Sequence, residues 1–277
     1  MVSVVITTKN EEKHIETCLK SIKAQSFAAE EIEIIVVDNG STDATKEISR
    51  RFTDNVFNFG PERSAQRNFG IRKARGKYVL YLDADMIVSQ GVIKECVQKC
   101  EKDNCVALYI PEKIVGEGFW IKVRNFERSF YDATVIDCVR FLKLDVFLEC
   151  GGFDEALTGP EDWDFDRRIK KLGKTDIINM PLDHNEGQFR LIPYLVKKGY
   201  YSRTFEGYIN KWGRNDMIVR KQLGFVYRFF GVFFENGKWK RLISHPLLTL
   251  GMYFLRVLVG IVFILQNVKN PKFKGSA

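Results

Sequence analysis

Histidine is scarce in this 277-residue sequence, with three copies at 14, 184 and 245, and none of the six cysteines (18, 96, 100, 105, 138, 150) forms a Cys-x-x-Cys spacing. A structural zinc site needs four nitrogen or sulfur ligands brought together, so that chemistry is not expected. Cys96 and Cys100, four apart, read as small buried groups on one helix. No basic segment precedes the first apolar run, Met1-Val2-Ser3-Val4-Val5-Ile6, so no signal peptide is expected, and the thiols are expected to stay reduced in a cytoplasmic setting. The stretch after that run, TTKNEEKH at 7–14, contains no glycine. This sets aside proteins that cradle a phosphate on a glycine-rich loop there, sugar nucleotidyltransferases among them. Internal repeats and low-complexity segments are also absent.

What is present is unevenly distributed. The net charge is +8, yet residues 1–189 hold 27 Lys/Arg against 32 Asp/Glu, while 190–277 hold 16 against three. The acidic front and the basic, aromatic back are expected to meet different partners. The front alternates apolar strands (2–8, 32–37, 56–59, 77–83, 105–110, 177–180) with helical segments (11–25, 43–52, 63–75, 90–102, 119–132, 161–172). That order predicts an α/β domain over 1–189 with a mostly parallel sheet covered by helices. Gly76 reads as the left-handed residue that ends the third helix.

The back, 190–277, reads as a helical extension. Its apolar hairpin or membrane segment covers about 224–266. Residues 247–266 form a 20-residue apolar run whose only charge is Arg256. Such a run is long enough to span a bilayer. A mid-span arginine costs about 2.5–3.5 kcal/mol on insertion scales, which favours an interfacial hairpin over a clean span, with a buried soluble helix as the third reading. The apolar run beside the basic tail fits lipid better than nucleic acid, so a membrane surface is the expected partner and nucleic acid is not.

Residues 78–86 read YVLYLDADM. On an extended backbone Asp83 and Asp85 project to the same side, and two like charges there need something positive between them. A divalent ion, a ligand hydroxyl or an arginine would serve; a solvated loop start has the same appearance. Asp38 lies at a second strand end. Ligands on such sheets bind beyond the C-terminal strand ends, so these acidic ends are expected to share one crevice.

Four segments together resemble the family 2 inverting glycosyltransferases of the GT-A fold: SVVITTKNEEKHIETCL (3–19), EIIVVDNGSTDAT (33–45), SAQRNFGIRKARGKYVLYLDADM (64–86) and GGFDEALTGPEDWDFDRRI (151–169). The resemblance implies a GT-A α/β catalytic domain and a metal-dependent enzyme that moves a sugar from a nucleotide diphosphate sugar. UDP is expected ahead of GDP, and the cofactor is Mn²⁺ or Mg²⁺. By that resemblance Asp85 binds the metal, and Asp83 meets the ribose or shares the ion. His184 completes the metal site, and Asp38 meets the base. Thr7 and Lys9 line the nucleotide, and Arg67 contacts it. Here Thr7-Thr8-Lys9-Asn10 stands where the family often has Pro-x-Tyr-Asn, so an aromatic stacking position is missing.

Asp162, at the start of a helix, is the implied base for an acceptor hydroxyl, with Glu161 and Arg168 on the acceptor side and Arg167 competing with Arg168. The tail resembles, more loosely, the extension of membrane-associated members that build lipid-linked or surface glycans. For a polyprenyl-linked acceptor, Arg203 and Lys211 are the expected phosphate ligands. No Gln-x-x-Arg-Trp follows the Glu-Asp helix, which argues for a non-processive enzyme working at the cytoplasmic face of the membrane. Two other readings are a polyprenyl-phosphate sugar synthase and a non-catalytic glycan-binding protein on the same scaffold.

Overall fold

The structure, a computed structural model, describes residues 1–269. The last eight residues of the expected extension, 270–277, lie outside the described residues. The strands are β1 (Val2–Thr8), β2 (Ile32–Asp38), β3 (Val56–Asn58), β4 (Tyr78–Asp83), β5 (Met86–Val88), β6 (Ala107–Tyr109), β7 (Glu112–Glu117), β8 (Phe141–Lys143), β9 (Thr175–Ile177) and β10 (Leu182–Gln188). The helices of the front half are α1 (Ile15–Lys23), α2 (Thr45–Arg50), α3 (Arg63–Lys73), α4 (Val92–Asp103), α5 (Phe119–Arg128), α6 (Leu144–Cys150) and α7 (Glu161–Ile169). Beyond them come α8 (Leu191–Tyr201), α9 (Phe205–Trp212), α10 (Met217–Leu223), a π-helical turn at Tyr227–Gly231, α11 (Val232–Phe234), α12 (Trp239–Ser244) and α13 (Pro246–Lys269).

The main sheet has the order β3-β2-β1-β4-β8-β6-β9. It is parallel except at β8, which runs antiparallel to both β4 and β6. Central strands of such a sheet are buried on both faces and read as continuous apolar runs; all seven residues of β1 are buried. Alternate residues feed two cores. Val2, Val4 and Ile6 join Ile34, Val36, Leu80 and Leu82 against α1 and α4. Val5 joins Ile35, Val37, Val79 and Tyr81 against Phe147 of α6 and Phe165 of α7. The expected α/β sheet with helices on both faces is therefore observed.

Three expectations need correction. Residues 182–188, outside the expected strands, form a strand in a second sheet, β5-β10-β7, so His184 lies inside a strand. Gly76 does not cap α3 in a left-handed conformation: Ala74 ends that helix with extended backbone. Glycine is needed at 76 because a Cβ there would sit 2.7 Å from the Ser3 amide nitrogen.

Arg256 is not a charge stranded along an apolar run. It is buried with Glu127 of α5 at 2.5 Å and donates to the Tyr131 hydroxyl at 2.6 Å. The apolar helix docks one face, through Met252 and Leu255, onto Val123, Phe126 and Phe130. The approach is close, since a Cβ on Gly251 would meet Val123 at 2.8 Å. Pro246 starts α13 at a position where its missing N–H costs nothing. The opposite face carries Leu247, Leu250, Phe254, Val257, Ile261 and Ile264, each at least 46% exposed.

Breaking a buried ion pair by removing one partner leaves an uncompensated charge, at a cost of about 3 kcal/mol or more. Arg256→Ala should lower the thermal unfolding midpoint of the detergent-purified chain and open 240–269 to protease. The double variant Glu127→Leu/Arg256→Leu should recover most of the loss. Equal stability of wild type and the single variant would show that the pair does not hold α13 in place.

Candidate active site

The C-terminal ends of β2, β1 and β4 lie side by side, with Thr8 opposite Asp38 and Thr7 opposite Asp83. Thr7 donates to Asp83 at 3.2 Å. Arg67, on α3, has no solvent exposure. Its guanidinium reaches Asp83 at 3.0 Å with one nitrogen and Asp162, at the start of α7, at 2.8 Å with another. The rings of Tyr81 and Phe153 lie 5.0 and 5.2 Å from its charge, a spacing that suits a cation over aromatic faces. Burial works against a charged Asp83, yet Arg67 and Arg63 hold it well below the usual carboxylate range. Asp162 remains part exposed, with side-chain exposure of 31%.

Asp85 follows in the turn between β4 and β5. One of its oxygens lies 3.1 Å from His184 Nε2. His184 Nδ1 is 2.8 Å from Glu112 on β7, and Glu112 is held in turn by Arg140 at 3.1 Å and Arg128 at 3.6 Å. Burial would push the imidazole down, but its hydrogen bonds to Asp85 and Glu112 override this and hold it up at about 10. The other Asp85 oxygen, Oδ1, is buried without any partner. Among the described residues no three carboxylate, thiol or imidazole groups could enclose an ion by themselves. An orphaned carboxylate oxygen beside an imidazole nonetheless fits a Mn²⁺ or Mg²⁺ ion that takes its remaining ligands from phosphate and water.

The other expected residues stand differently. Glu161 is buried, and burial together with neighbouring Asp162 pushes it up. It accepts from the Gly159 amide and from Arg63 at 3.4 Å, which closes the loop before α7. Asp38 turns its buried carboxylate onto the Ser41 amide and hydroxyl, and Lys9 is exposed at the rim. Arg168 bonds Asp164 and the Cys150 carbonyl. Arg167 reaches Asp216 at 3.0 Å and lies 3.8 Å from the Trp212 ring. Neither arginine meets the Asp83–Asp162 group. Lys211 is engaged by Asp154 at 2.6 Å and Asp164 at 2.9 Å, while Arg203 is exposed over the Tyr200 ring.

Three further participants were not read from the sequence. Arg63 sits one helical turn before Arg67, on the same face of α3, and contacts Asp83 at 3.7 Å; that spacing was a usable signal. Tyr201 of α8 accepts from Arg63 at 3.2 Å, which brings the extension to the edge of the site. Glu112 had no local signal, because it meets His184 only through the β7–β10 pairing.

The family model of glycosyl transferase family 2 matches residues 3–153. Among curated relatives, glycosyltransferase AglE of Haloferax volcanii is 38% identical over 91 residues, covering 30% of each chain. Poly(ribitol-phosphate) beta-N-acetylglucosaminyltransferase TarS of Staphylococcus aureus is 31% identical over 145 residues, 49% of this chain and 25% of that one. The chain thus spans about a quarter to a third of the length of these relatives. Among solved structures, the mannosyltransferase PcManGT of Pyrobaculum calidifontis, in complex with GDP-Man and Mn²⁺, superposes with a TM-score of 0.62 at 18% identity, covering 99% of this chain and 88% of that one.

The Glu112 carboxylate orients His184 from behind, and such outer partners are worth about 10–100-fold in metal affinity. Glu112→Gln should weaken Mn²⁺ affinity by that range, read by calorimetry in the presence of nucleotide, with the unfolding midpoint kept as a control for folding. Unchanged Mn²⁺ affinity would remove His184 from the ion's ligands.

The crevice at the ends of β1, β2 and β4 thus lies within the matched region, the fold agrees with that of the solved relatives, and the chain belongs to glycosyl transferase family 2.

Proposed function

We propose that the protein is a non-processive inverting glycosyltransferase that moves a sugar from a UDP-linked donor to an acceptor hydroxyl on a lipid-linked or surface glycan. Residues 1–189 carry catalysis, and 190–277 set the enzyme on the cytoplasmic face of a membrane. The observation that carries this reading is the unbroken series Thr7, Asp83, Arg67, Asp162 beside the Asp85–His184 pair. It sets donor-side and acceptor-side carboxylates in one crevice, fixed to each other by a buried arginine. The names of similar proteins support a nucleotide-sugar donor without choosing the nucleotide: TarS has been solved with UDP-GlcNAc, and PcManGT with GDP-Man and Mn²⁺.

The roles follow from the geometry. Asp85 would hold the divalent ion through its unpartnered Oδ1, and His184 would join it once Nε2 gives up the proton that it shares with Asp85. When bound, the ion offsets the negative charge that gathers on a departing nucleoside diphosphate. Thr7 and Asp83 form the floor under the nucleotide. Asp162 has Oδ1 tied to Arg67 and Oδ2 without a partner among the described residues, so one oxygen is fixed while the other is available to take the acceptor's proton. Arg67 acts as a positioning residue for both carboxylates. Lys9 and Asp38 are assigned to the nucleotide rim, Asp38 through the loop that its bonds to Ser41 hold.

We also propose that α13 lies on the membrane rather than across it. By length and composition Pro246–Leu265 suffices for a span, but its docked face is committed to α5. The exposed leucine, phenylalanine, valine and isoleucine stripe is available for the acyl boundary, and the basic residues around α12 for anionic headgroups. The chain should therefore float with anionic vesicles. Replacing Leu250, Phe254 and Val257 by Ser should abolish flotation without moving UDP affinity; persistent flotation would place membrane contact elsewhere.

Calorimetric titration of UDP and GDP with Mn²⁺ on wild type and Asp85→Ala tests the donor assignment. UDP binding that needs the ion and is lost in the variant is expected. No binding of either nucleotide would overturn the reading. Asp162→Asn should then lower turnover by about 10²–10⁴-fold while UDP affinity holds. A loss of less than about tenfold would instead favour an acceptor that attacks through a phosphate oxygen and needs no base.

A further inference from the structure

Four cations gather where α5, α8, the 227–231 turn and α13 meet: Arg124, Lys198, Arg228 and Arg256. Two carboxylates answer them. Glu186 takes Arg124 at 2.8 Å, and Glu127 is shared between Arg256 at 2.5 Å and Arg124 at 3.6 Å. Tyr131 and the Arg228 carbonyl complete the surroundings of Arg256. Arg228 and Lys198 are left without a carboxylate in salt-bridge reach among the described residues. The Arg228 guanidinium lies 5.9 Å from the rings of both Tyr131 and Trp163, and the Lys198 ammonium 5.4 Å from the ring of Tyr194. Both side chains are only part exposed. Burial and the neighbouring Arg124 push Lys198 down to about 7, and burial also draws Arg228 down.

The location gives this group a use. Trp163, beside Arg228, directly follows Asp162. Glu186, which anchors Arg124, lies two residues beyond His184. Glu186 feels the His184 charge, so the Arg124 end of this group faces the His184 side of the site, and α13, whose outer face is the exposed apolar stripe, packs on α5 and α8 beside it. Among the described residues Glu127 is the one carboxylate that acts on both Lys198 and Arg228, and it is already bonded to Arg256; two part-buried cations in excess of their counter-charge are costly unless an anion enters. A tetrahedral phosphate can take a planar guanidinium and an ammonium from two directions at once. The Lys211 ammonium, by contrast, is already held by two aspartates.

We propose that Arg228 and Lys198 seat a phosphate or diphosphate group carried by the acceptor. The word acceptor rests on the glycosyltransferase reading; the anion seat itself does not. The phosphate belongs either to a lipid whose chain runs along α13 or to a water-soluble phosphorylated acceptor.

The test is calorimetry on the full chain in detergent, with chelator present so that no ion bridges at Asp85. The probes are inorganic pyrophosphate, farnesyl diphosphate and farnesol. Wild type should bind a diphosphate. Lys198→Gln and Arg228→Gln should each weaken that binding by about 10–100-fold, the worth of a charge-assisted hydrogen bond, and Arg228→Lys should recover part of it. Lys197→Gln, an exposed neighbour, should change it by less than about twofold, as surface charges generally do.

Tighter binding of farnesyl diphosphate than of pyrophosphate would identify a lipid source, and equal binding a soluble one. Binding of farnesol as tight as that of its diphosphate, no diphosphate binding, or binding indifferent to Lys198 would overturn the proposal. Should Arg228→Gln fail to fold, the Lys198→Gln titration decides. UDP with Mn²⁺, titrated into the same samples, separates the two readings. Its failure in wild type sinks the donor assignment and leaves the anion seat to be judged on the diphosphate data alone.

Discussion

The acidic mouth of the sheet depends on one buried guanidinium. Asp83 ends β4 and Asp162 begins α7, and at this distance their like charges would drive the two elements apart. Arg67 prevents that by giving one nitrogen to each. A lysine offers a point charge on a flexible stem, whereas the arginine fork fixes two directions together. The arrangement is not a source of raw stability, since burying Arg67 and most of Asp83 is expensive even when they pair. What it contributes is position. The Asp83 and Asp162 carboxylates cannot shift independently while Arg67 packs against the paired rings of Tyr81 and Phe153.

The same restraint extends outward from Arg67. Arg63, one turn earlier, joins Asp83 to Glu161 and to Tyr201. The loop between α6 and α7 is thereby clasped between α3 and the extension, and Thr204 bonds both the amide and the carbonyl of Thr158. Gly159 has a φ of +110°, and a Cβ there would meet the Tyr201 carbonyl at 2.5 Å. The extension therefore builds part of the site's wall rather than trailing from it.

Local pattern carried the front half. The burial of β1, β2 and β4 on both faces is written in unbroken apolar runs, and Asp83 and Asp85 were visible because they end one. The pairing of Glu112 with His184 was not visible. LDHNEGQ has neither apolar run nor clean alternation, and it becomes a strand only because β7 and β5 flank it. Gly76 was misread for a related reason: its requirement is space against Ser3, a long-range contact, and not a helix cap. Arg256 reads as a mid-membrane charge until α5 supplies Glu127 129 positions away in the chain. Lys211 reads as free until Asp154 and Asp164 appear beside it. In each case a side chain's role was set by its partner, and the partner came from a distant element.

These cross-element pairs also give the uneven charge a structural meaning. An acidic front and a basic back meet along their seam: Arg256 with Glu127, Lys211 with Asp154 and Asp164, and, with the signs reversed, Asp216 of the back with Arg167 of the front. Such pairs fix register between the two parts more than they add stability. The matching is incomplete at one place. Where α5, α8 and α13 converge, the front supplies Glu127 and Glu186, and both are already shared out. A seam that elsewhere pairs its buried charges leaves Arg228 beside Trp163 and Lys198 beside Tyr194 with no carboxylate in salt-bridge reach among the described residues, so positive charge is in excess there. The same convergence holds α13 with its apolar face exposed, so an acceptor with a charged head and a hydrocarbon tail would meet complementary surfaces at both ends.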